Sequence, residues 1–294
     1  MIDIRDHDDA LDPVTAAGAR PRRRRFRNVP LRIVLPNLIT LLALCLGLTA
    51  IRYATEGSFE KAVFAIVAAA VFDGLDGRLA RALKGTTRFG AELDSLADFV
   101  DFGVAPALTL YFWNMHEIKS FGWFAAMVFA IACALRLARF NVGLDDPDRP
   151  AWASNFFTGM PAPAGAIVAL LPLYLHLSVL GWTFERWAVG LEIVYLLGIA
   201  GLMASTIPHF SGKSIGRVPR EQVIPVLFAV AVFVLLLLTF PTELLAALVL
   251  VFLGLIPFSI RSHRAHLRRD AERLRAGPGT DAAGETGPAA ALRP

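Results

Sequence analysis

Charged residues are scarce in this chain of 294 residues: they make up 18% of it, whereas hydrophobic residues make up 55%. Soluble domains usually carry about 25% charged residues. The low charge therefore excludes an ordinary soluble domain. The apolar residues fall in runs of about 20, the length that crosses a bilayer as an α-helix.

Cysteine and clustered histidine are also lacking. The two cysteines, Cys45 and Cys133, both lie in apolar runs and indicate neither a disulfide framework nor a zinc site. The six histidines are scattered, without the spacing of a histidine-ligated metal. A metal site in this chain would have to be built from oxygen ligands.

The apolar runs predict an all-α, polytopic membrane bundle with about eight transmembrane helices. The predicted spans are residues 33–52, 59–83, 93–114, 120–141, 162–182, 187–207, 222–240 and 242–260. This divides the chain into a basic N-terminal segment (1–32), a transmembrane domain (33–260) and a basic C-terminal tail (261–294) that ends in a disordered stretch.

The basic residues predict the orientation. With a cytoplasmic N-terminus, only Arg52, Lys61, Lys119 and Arg186 of the 29 Lys and Arg residues lie near the opposite side. Such a bias places both termini and the acidic cluster described next in the cytoplasm of an inner-membrane protein. The arginine run at 22–25 is then a topology signal that also contacts anionic lipids, and we expect no nucleic-acid binding.

Acidic residues stand where charge is costly. Asp73 and Asp76 are three apart at the end of the second span, and Asp94, Asp98 and Asp101 follow at intervals of four and three in the third. On antiparallel helices these spacings place the two sets on facing sides near the cytoplasmic surface. Intramembrane carboxylates of this kind indicate a functional site.

Converging carboxylates need a counter-charge, and hard divalent cations such as Mg²⁺ or Mn²⁺ supply it through oxygen ligands. Two such ions can clamp a diphosphate during phosphoryl transfer. Gly77 would let a phosphate approach the helix backbone, and Arg81 can pair with phosphate oxygens.

Written out from Asp73 to Asp98, the pattern is D-x2-D-G-x2-A-R-x8-G-x3-D-x3-D. It resembles the signature of the CDP-alcohol phosphotransferase family. The resemblance implies an enzyme that transfers a phosphatidyl or phospho group from a CDP-linked donor to an alcohol and releases CMP. It also implies a bound pair of divalent metal ions and a homodimer.

The resemblance assigns roles to individual residues. It implies that Asp73, Asp76, Asp94 and Asp98 are metal ligands, and that Asp98 is also the base that deprotonates the acceptor alcohol. The expected contacts of the CDP-linked donor are Asn37, within a Pro-Asn-x2-Thr segment, and Gly77, Arg81 and Thr87.

Segments 97–106, 135–141 and 157–164 resemble the serine-using branch of the family. We therefore expect CDP-diacylglycerol and L-serine as substrates. Serine is a zwitterion, so Asp101 is the candidate for its ammonium group. Arg136, Arg139 and Asn141 are the candidates for its carboxylate.

Alternatives remain open. The same chemistry with glycerol 3-phosphate, inositol phosphate or choline is the nearest one, and a divalent-cation transporter is the alternative from another class. Arg136 and Arg139 would also suit a helix end without binding substrate, and Asn37 would suit a helix cap.

Overall fold

The computed structural model describes residues 30–144, 156–179, 186–205, 208–210 and 222–256. Within these residues the chain is helical apart from connecting turns and one pair of three-residue strands. This confirms the predicted all-helical architecture. The arginine run at 22–25 and the tail at 261–294 lie outside the described residues.

The helices, in chain order, are α1 (Leu31–Thr55), α2 (Phe59–Ala82), α3 (Arg88–Asp98), α4 (Ala105–Trp113), α5 (Ser120–Leu144), α6 (Ala162–Ala169), α7 (Leu171–Leu177), α8 (Arg186–Ala204), α9 (Val223–Thr239) and α10 (Pro241–Ile256). A π-helical turn, Phe99–Val104, joins α3 to α4, and a 3₁₀ turn, Met115–Ile118, precedes α5. Strands β1 (Phe156–Thr158) and β2 (Pro208–Phe210) pair antiparallel, with Phe157 opposite His209.

Three helical stretches of the described chain are long and apolar enough to cross a membrane: Leu31–Thr55, Arg88–Trp113 and Ser120–Gly143. Helices α8, α9 and α10 are apolar but shorter. Helix α2 has the length, at 24 residues, but carries the charges of the acidic motif. The chain is a helical membrane protein, and a count of eight crossings stays a prediction.

The segment predicted as one span at 162–182 is two short helices, α6 and α7. They meet at Leu170, and Pro172 lies in the first turn of α7. Proline has no backbone N–H to donate and its ring clashes with the preceding turn, so a continuous helix is interrupted there.

Small residues set the packing of α1 against α2. Ala43, Gly47 and Ala50 of α1 are buried, as are Ala62 and Ala69 of α2. Small side chains let two membrane helices approach closely. Because the short turn at 56–58 makes α1 and α2 antiparallel, the N-terminal part of α1 lies beside the C-terminal part of α2, where the acidic motif begins.

The π-helical turn changes the register of the third span just after Asp98. A regular helix would place Asp94, Asp98 and Asp101 on one face, as the spacing predicts. Asp101 lies within this turn and against α1, where a Cβ added to Gly47 would overlap the Asp101 carboxyl group. Single π-helical turns are frequent at functional sites.

Candidate active site

Three carboxylates converge where the C-terminal part of α2 meets α3. Asp73 and Asp76 come from α2 and Asp94 comes from α3, and one oxygen of each lies within 4.8 Å of the others. Such a set of hard oxygen ligands suits a divalent cation. The packing of α2 beside α3 therefore brings the two acidic segments together, as the sequence predicts.

Asp76 is held in place by α1. The Thr40 hydroxyl donates a hydrogen bond of 2.6 Å to Oδ2 of Asp76, and both residues are buried. The bond fixes the orientation of the Asp76 carboxylate toward the cluster. Thr40 was not among the residues singled out from the sequence, although it closes the Pro-Asn-x2-Thr segment that was.

Asp98 lies next to Asp73, within hydrogen-bonding range, and both carboxylates are close enough to Arg136 of α5 to interact electrostatically with its guanidinium. The Arg136 side chain is half-buried, and its buried Nε has no hydrogen-bond partner among the described residues. The Arg136 guanidinium thus lies beside two carboxylates, and its Nε can still donate a hydrogen bond.

A cavity of about 160 Å³ opens beside the carboxylates. All four residues expected to contact the CDP-linked donor line it, together with Asp76, Asp94 and small neighbouring residues. The lining residues are Pro36, Asn37, Thr40, Asp76, Gly77, Ala80, Arg81, Gly85, Thr86, Thr87, Gly90, Ala91 and Asp94. Positions up to 58 residues apart in sequence thereby form one pocket.

The cavity depends on a close approach of α3 to α1. Thr87 caps α3 by accepting a hydrogen bond of 3.0 Å from the Gly90 backbone N–H. A Cβ added to Gly90 would lie 2.9 Å from Oδ1 of Asn37 and 3.2 Å from Oγ1 of Thr87. Only glycine leaves room there for the Asn37 amide.

The candidate serine contacts divide into two pairs. Arg136 and Asp101 both lie within electrostatic range of Asp73. Arg139 instead donates to the carbonyl groups of Ala204 and Ser205, at 2.7 and 3.3 Å.

Asn141 donates a hydrogen bond of 2.9 Å to the Ser95 hydroxyl on α3. The bond of Arg139 satisfies the C-terminal end of α8, a role that helix dipoles favour for a cation. Both side chains therefore have a structural partner already.

A carboxylate cluster beside a polar cavity, built on membrane helices with the spacing described above, defines a class of membrane-embedded phosphoryl-transfer protein. The family model for CDP-alcohol phosphatidyltransferase matches residues 33–197. The chain belongs to that family.

Several curated relatives share most of the chain. A protein of Mycobacterium leprae named CDP-diacylglycerol–serine O-phosphatidyltransferase is 40% identical over 84% of this chain and 80% of its own length. Proteins with the same name from Mycobacterium tuberculosis and Helicobacter pylori are 39% and 35% identical, over 83% and 68% of this chain. The latter two matches cover 83% and 81% of the relatives' own lengths.

Proposed function

We propose that this chain transfers the phosphatidyl group of CDP-diacylglycerol to L-serine, giving phosphatidylserine and CMP. The observation that carries the proposal is the single cavity in which Asp76 and Asp94 meet Asn37, Gly77, Arg81 and Thr87. The names of the relatives support CDP-diacylglycerol as the donor and serine as the acceptor.

The donor set fits a metal site. Asp73, Asp76 and Asp94 converge, Asp98 adjoins Asp73, and Thr40 fixes one oxygen of Asp76. We assign two divalent ions, Mg²⁺ or Mn²⁺, to these four aspartates. When bound, such ions neutralise the charge of the diphosphate and of the departing CMP.

The nucleotide part of the donor would occupy the cavity. An Asn amide has both a donor and an acceptor and can read the edge of cytosine, which we assign to Asn37. Gly77 lets the diphosphate approach α2, since among the described residues only Arg81 Nη1 comes near an added Cβ, at 3.8 Å. The Arg81 guanidinium is therefore placed to bind phosphate oxygens, and the Thr87 hydroxyl to donate to them.

The reaction would be a single displacement. Asp98 takes the proton from the serine hydroxyl, whose oxygen attacks the lipid-side phosphorus in line. A new P–O bond to serine forms as the P–O bond to CMP breaks, and CMP leaves with the electron pair of that bond. The proton held by Asp98 is then released to solvent, which restores the carboxylate for the next cycle.

Arg136 is the group we assign to the serine carboxylate. Its guanidinium lies near Asp73 and Asp98, beside which the serine hydroxyl would bind. Its Nε has no hydrogen-bond partner among the described residues. Asp101, buried with Oδ1 unpartnered, is assigned to the serine ammonium. Arg139 and Asn141 would serve the site by holding the end of α8 and Ser95 in place.

We further propose that residues 33–260 form one catalytic transmembrane domain of eight spans, with both termini and the acidic cluster on the cytoplasmic side, and that the enzyme works as a homodimer. The positive-inside bias supports the orientation. The acyl chains of the donor would remain among lipid-facing helices.

The test is CMP release from CDP-diacylglycerol by the purified protein with Mg²⁺ or Mn²⁺, supplying serine, glycerol 3-phosphate, inositol phosphate or choline separately. We expect release to require serine and metal. Release with another alcohol alone would preserve the chemistry and overturn the serine assignment. No release with any acceptor, combined with metal flux in proteoliposomes, would identify a cation transporter instead.

A further inference from the structure

A second cavity, also of about 160 Å³, lies between α7 and α8. Its walls are apolar except for one carboxyl and one phenol group. The lining residues are Leu171, Pro172, Leu175, Ala188, Leu191, Glu192 and Tyr195. The Tyr195 hydroxyl already donates to the Val168 carbonyl at 2.6 Å, so Glu192 supplies the cavity with its available polar group.

Glu192 is buried, with 3% of its surface exposed. Oε2 accepts a hydrogen bond of 3.1 Å from the Asn114 amide, which lies at the end of the third span. Oε1 is buried without a hydrogen-bond partner among the described residues. A buried carboxyl oxygen without a hydrogen-bond partner raises the free energy of the protein. A ligand that donates a hydrogen bond to it would remove that cost and gain binding free energy.

This cavity is separate from the candidate active site. Arg139, near the end of α5, donates a hydrogen bond to the C-terminal end of α8. Arg136, one helical turn earlier on α5, lies near the acidic cluster, so this end of α8 is the end close to the candidate active site. Glu192 precedes Ala204 by 12 residues, which places it about 18 Å back along the axis of α8. Asn114 likewise follows Asp98 by 16 residues along the third span.

The chemistry of the cavity selects its ligand. A carboxyl group in apolar surroundings is best matched by a cation that also donates hydrogen bonds, and a primary ammonium does both. The leucine, proline and alanine walls would cover a short alkyl segment attached to it. Leu191 is 63% exposed and marks where the cavity opens on the surface of the bundle.

We propose that the cavity beside Glu192 binds the primary ammonium group of an amphiphile, with its alkyl part against Leu171, Leu175 and Leu191. The ammonium could belong to a membrane lipid or to a free alkylamine, and the experiment separates these sources. The proposal does not depend on which alcohol the active site accepts.

The test measures the thermal stability of the purified full chain with n-hexylammonium, and with hexanol and hexanoate as isosteric controls. We expect saturable stabilisation by hexylammonium, seen as a rise in melting temperature of about 2–4 °C. Hexanol and hexanoate should give no comparable shift.

Three variants localise the effect. Glu192→Gln keeps an acceptor for Asn114 but removes the carboxyl group that can pair with an ammonium, and should abolish the shift. Leu191→Trp, at the exposed mouth, should block the ligand while leaving Glu192 intact. Glu60→Gln, an exposed glutamate at a different crevice on α2, should respond like the wild type.

A lipid source is tested in nanodiscs of phosphatidylethanolamine compared with phosphatidylglycerol. Competition by the amino lipid against hexylammonium, lost in Glu192→Gln, would assign the site to a lipid headgroup. Stabilisation by free hexylammonium without competition would assign it to soluble amines. An equal shift for hexanol, or an unchanged shift in both Glu192→Gln and Leu191→Trp, would overturn the proposal.

Discussion

The side chains around the carboxylates of this site decide where those carboxylates point. Asp76 is fixed by the hydroxyl of Thr40 on a different helix, at 2.6 Å. Asp73 and Asp98 adjoin each other and share the field of Arg136. The aspartate spacing indicates the site in the sequence. The hydrogen bond from Thr40 to Asp76, however, joins residues 36 positions apart. No local pattern specifies such a contact.

Thr40→Val removes the hydroxyl while keeping the shape of the side chain. Loss of a group that orients a metal ligand typically costs 10- to 100-fold in metal affinity or activity. We expect a rise of about that size in the Mg²⁺ or Mn²⁺ concentration needed for half-maximal CMP release.

Thr40→Ser should retain near-normal metal dependence because it keeps the donor. Thr49→Val is the matched control, since the Thr49 hydroxyl on the same helix bonds to the Cys45 carbonyl and to no other group of the described residues. Equal metal dependence in Thr40→Val and Thr49→Val would show that Thr40 does not orient Asp76.

Asp98→Asn tests the proposed base. The amide keeps the size of the side chain but cannot accept the serine proton, so kcat should fall by about 10²- to 10⁴-fold. Binding of CDP-diacylglycerol, measured by calorimetry in detergent, should remain. Substantial turnover in this variant would rule out Asp98 as the base.

Arg136→Ala and Arg139→Ala should have different effects, the first on serine binding and the second on protein stability. Arg136→Ala should raise the KM for serine more than the KM for CDP-diacylglycerol, because it removes the proposed carboxylate partner. Arg139→Ala removes hydrogen bonds to the end of α8 and should instead lower stability, by about 0.5–1.5 kcal/mol.

Steady-state kinetics with each substrate varied, together with thermal melts, would separate the two effects. Equal changes in both KM values for Arg136→Ala would contradict its assignment to serine.

At the scale of elements, the site is a product of how three helices approach. Helix α1 packs closely on α2 through small residues, and α3 turns back after the short 83–87 connection to bring Thr87 and Gly90 against Asn37. The alternation of apolar runs predicts the helices, whereas the π-helical turn at Phe99–Val104 has no distinctive pattern in the sequence. Asp101 lies within this turn, against Gly47 of α1.

Gly90→Ala tests the approach of α3 to α1. The added methyl group would press on the Asn37 amide and on the Thr87 cap. We expect the KM for CDP-diacylglycerol to rise about tenfold, equivalent to roughly 1.4 kcal/mol of lost binding, with a smaller change for serine.

Gly74→Ala is the control, because an added Cβ at Gly74 meets no atom of the described part of the chain within 4 Å. Similar kinetics for the two alanine variants would show that the close approach of Gly90 to Asn37 does not shape the nucleotide site.

At the scale of the whole molecule, antiparallel packing places the turns at 56–58 and 114–119 at the end of the bundle away from the 83–87 turn. The proposed orientation makes the first two turns extracytoplasmic. In a background without Cys45 and Cys133, cysteines introduced singly by Glu56→Cys and His116→Cys should react with a membrane-impermeant maleimide on intact cells.

Thr86→Cys should react only after the cells are permeabilised. All three positions are exposed in the structure, so a lack of reaction reports the membrane side and not burial. The reverse labelling pattern would invert the topology and place the active site outside the cytoplasm.

The sequence by itself determined the class of protein, its helical architecture and the family. Hydrophobic runs and charge scarcity are summed over many residues, and the aspartate signature lies within 26 consecutive positions. Only the tertiary structure decided which side chains meet: Thr40 with Asp76, Arg139 with the end of α8, and Glu192 with Asn114. These contacts join distant segments, and their geometry depends on helix packing and on a local π-helical turn, neither of which periodicity specifies.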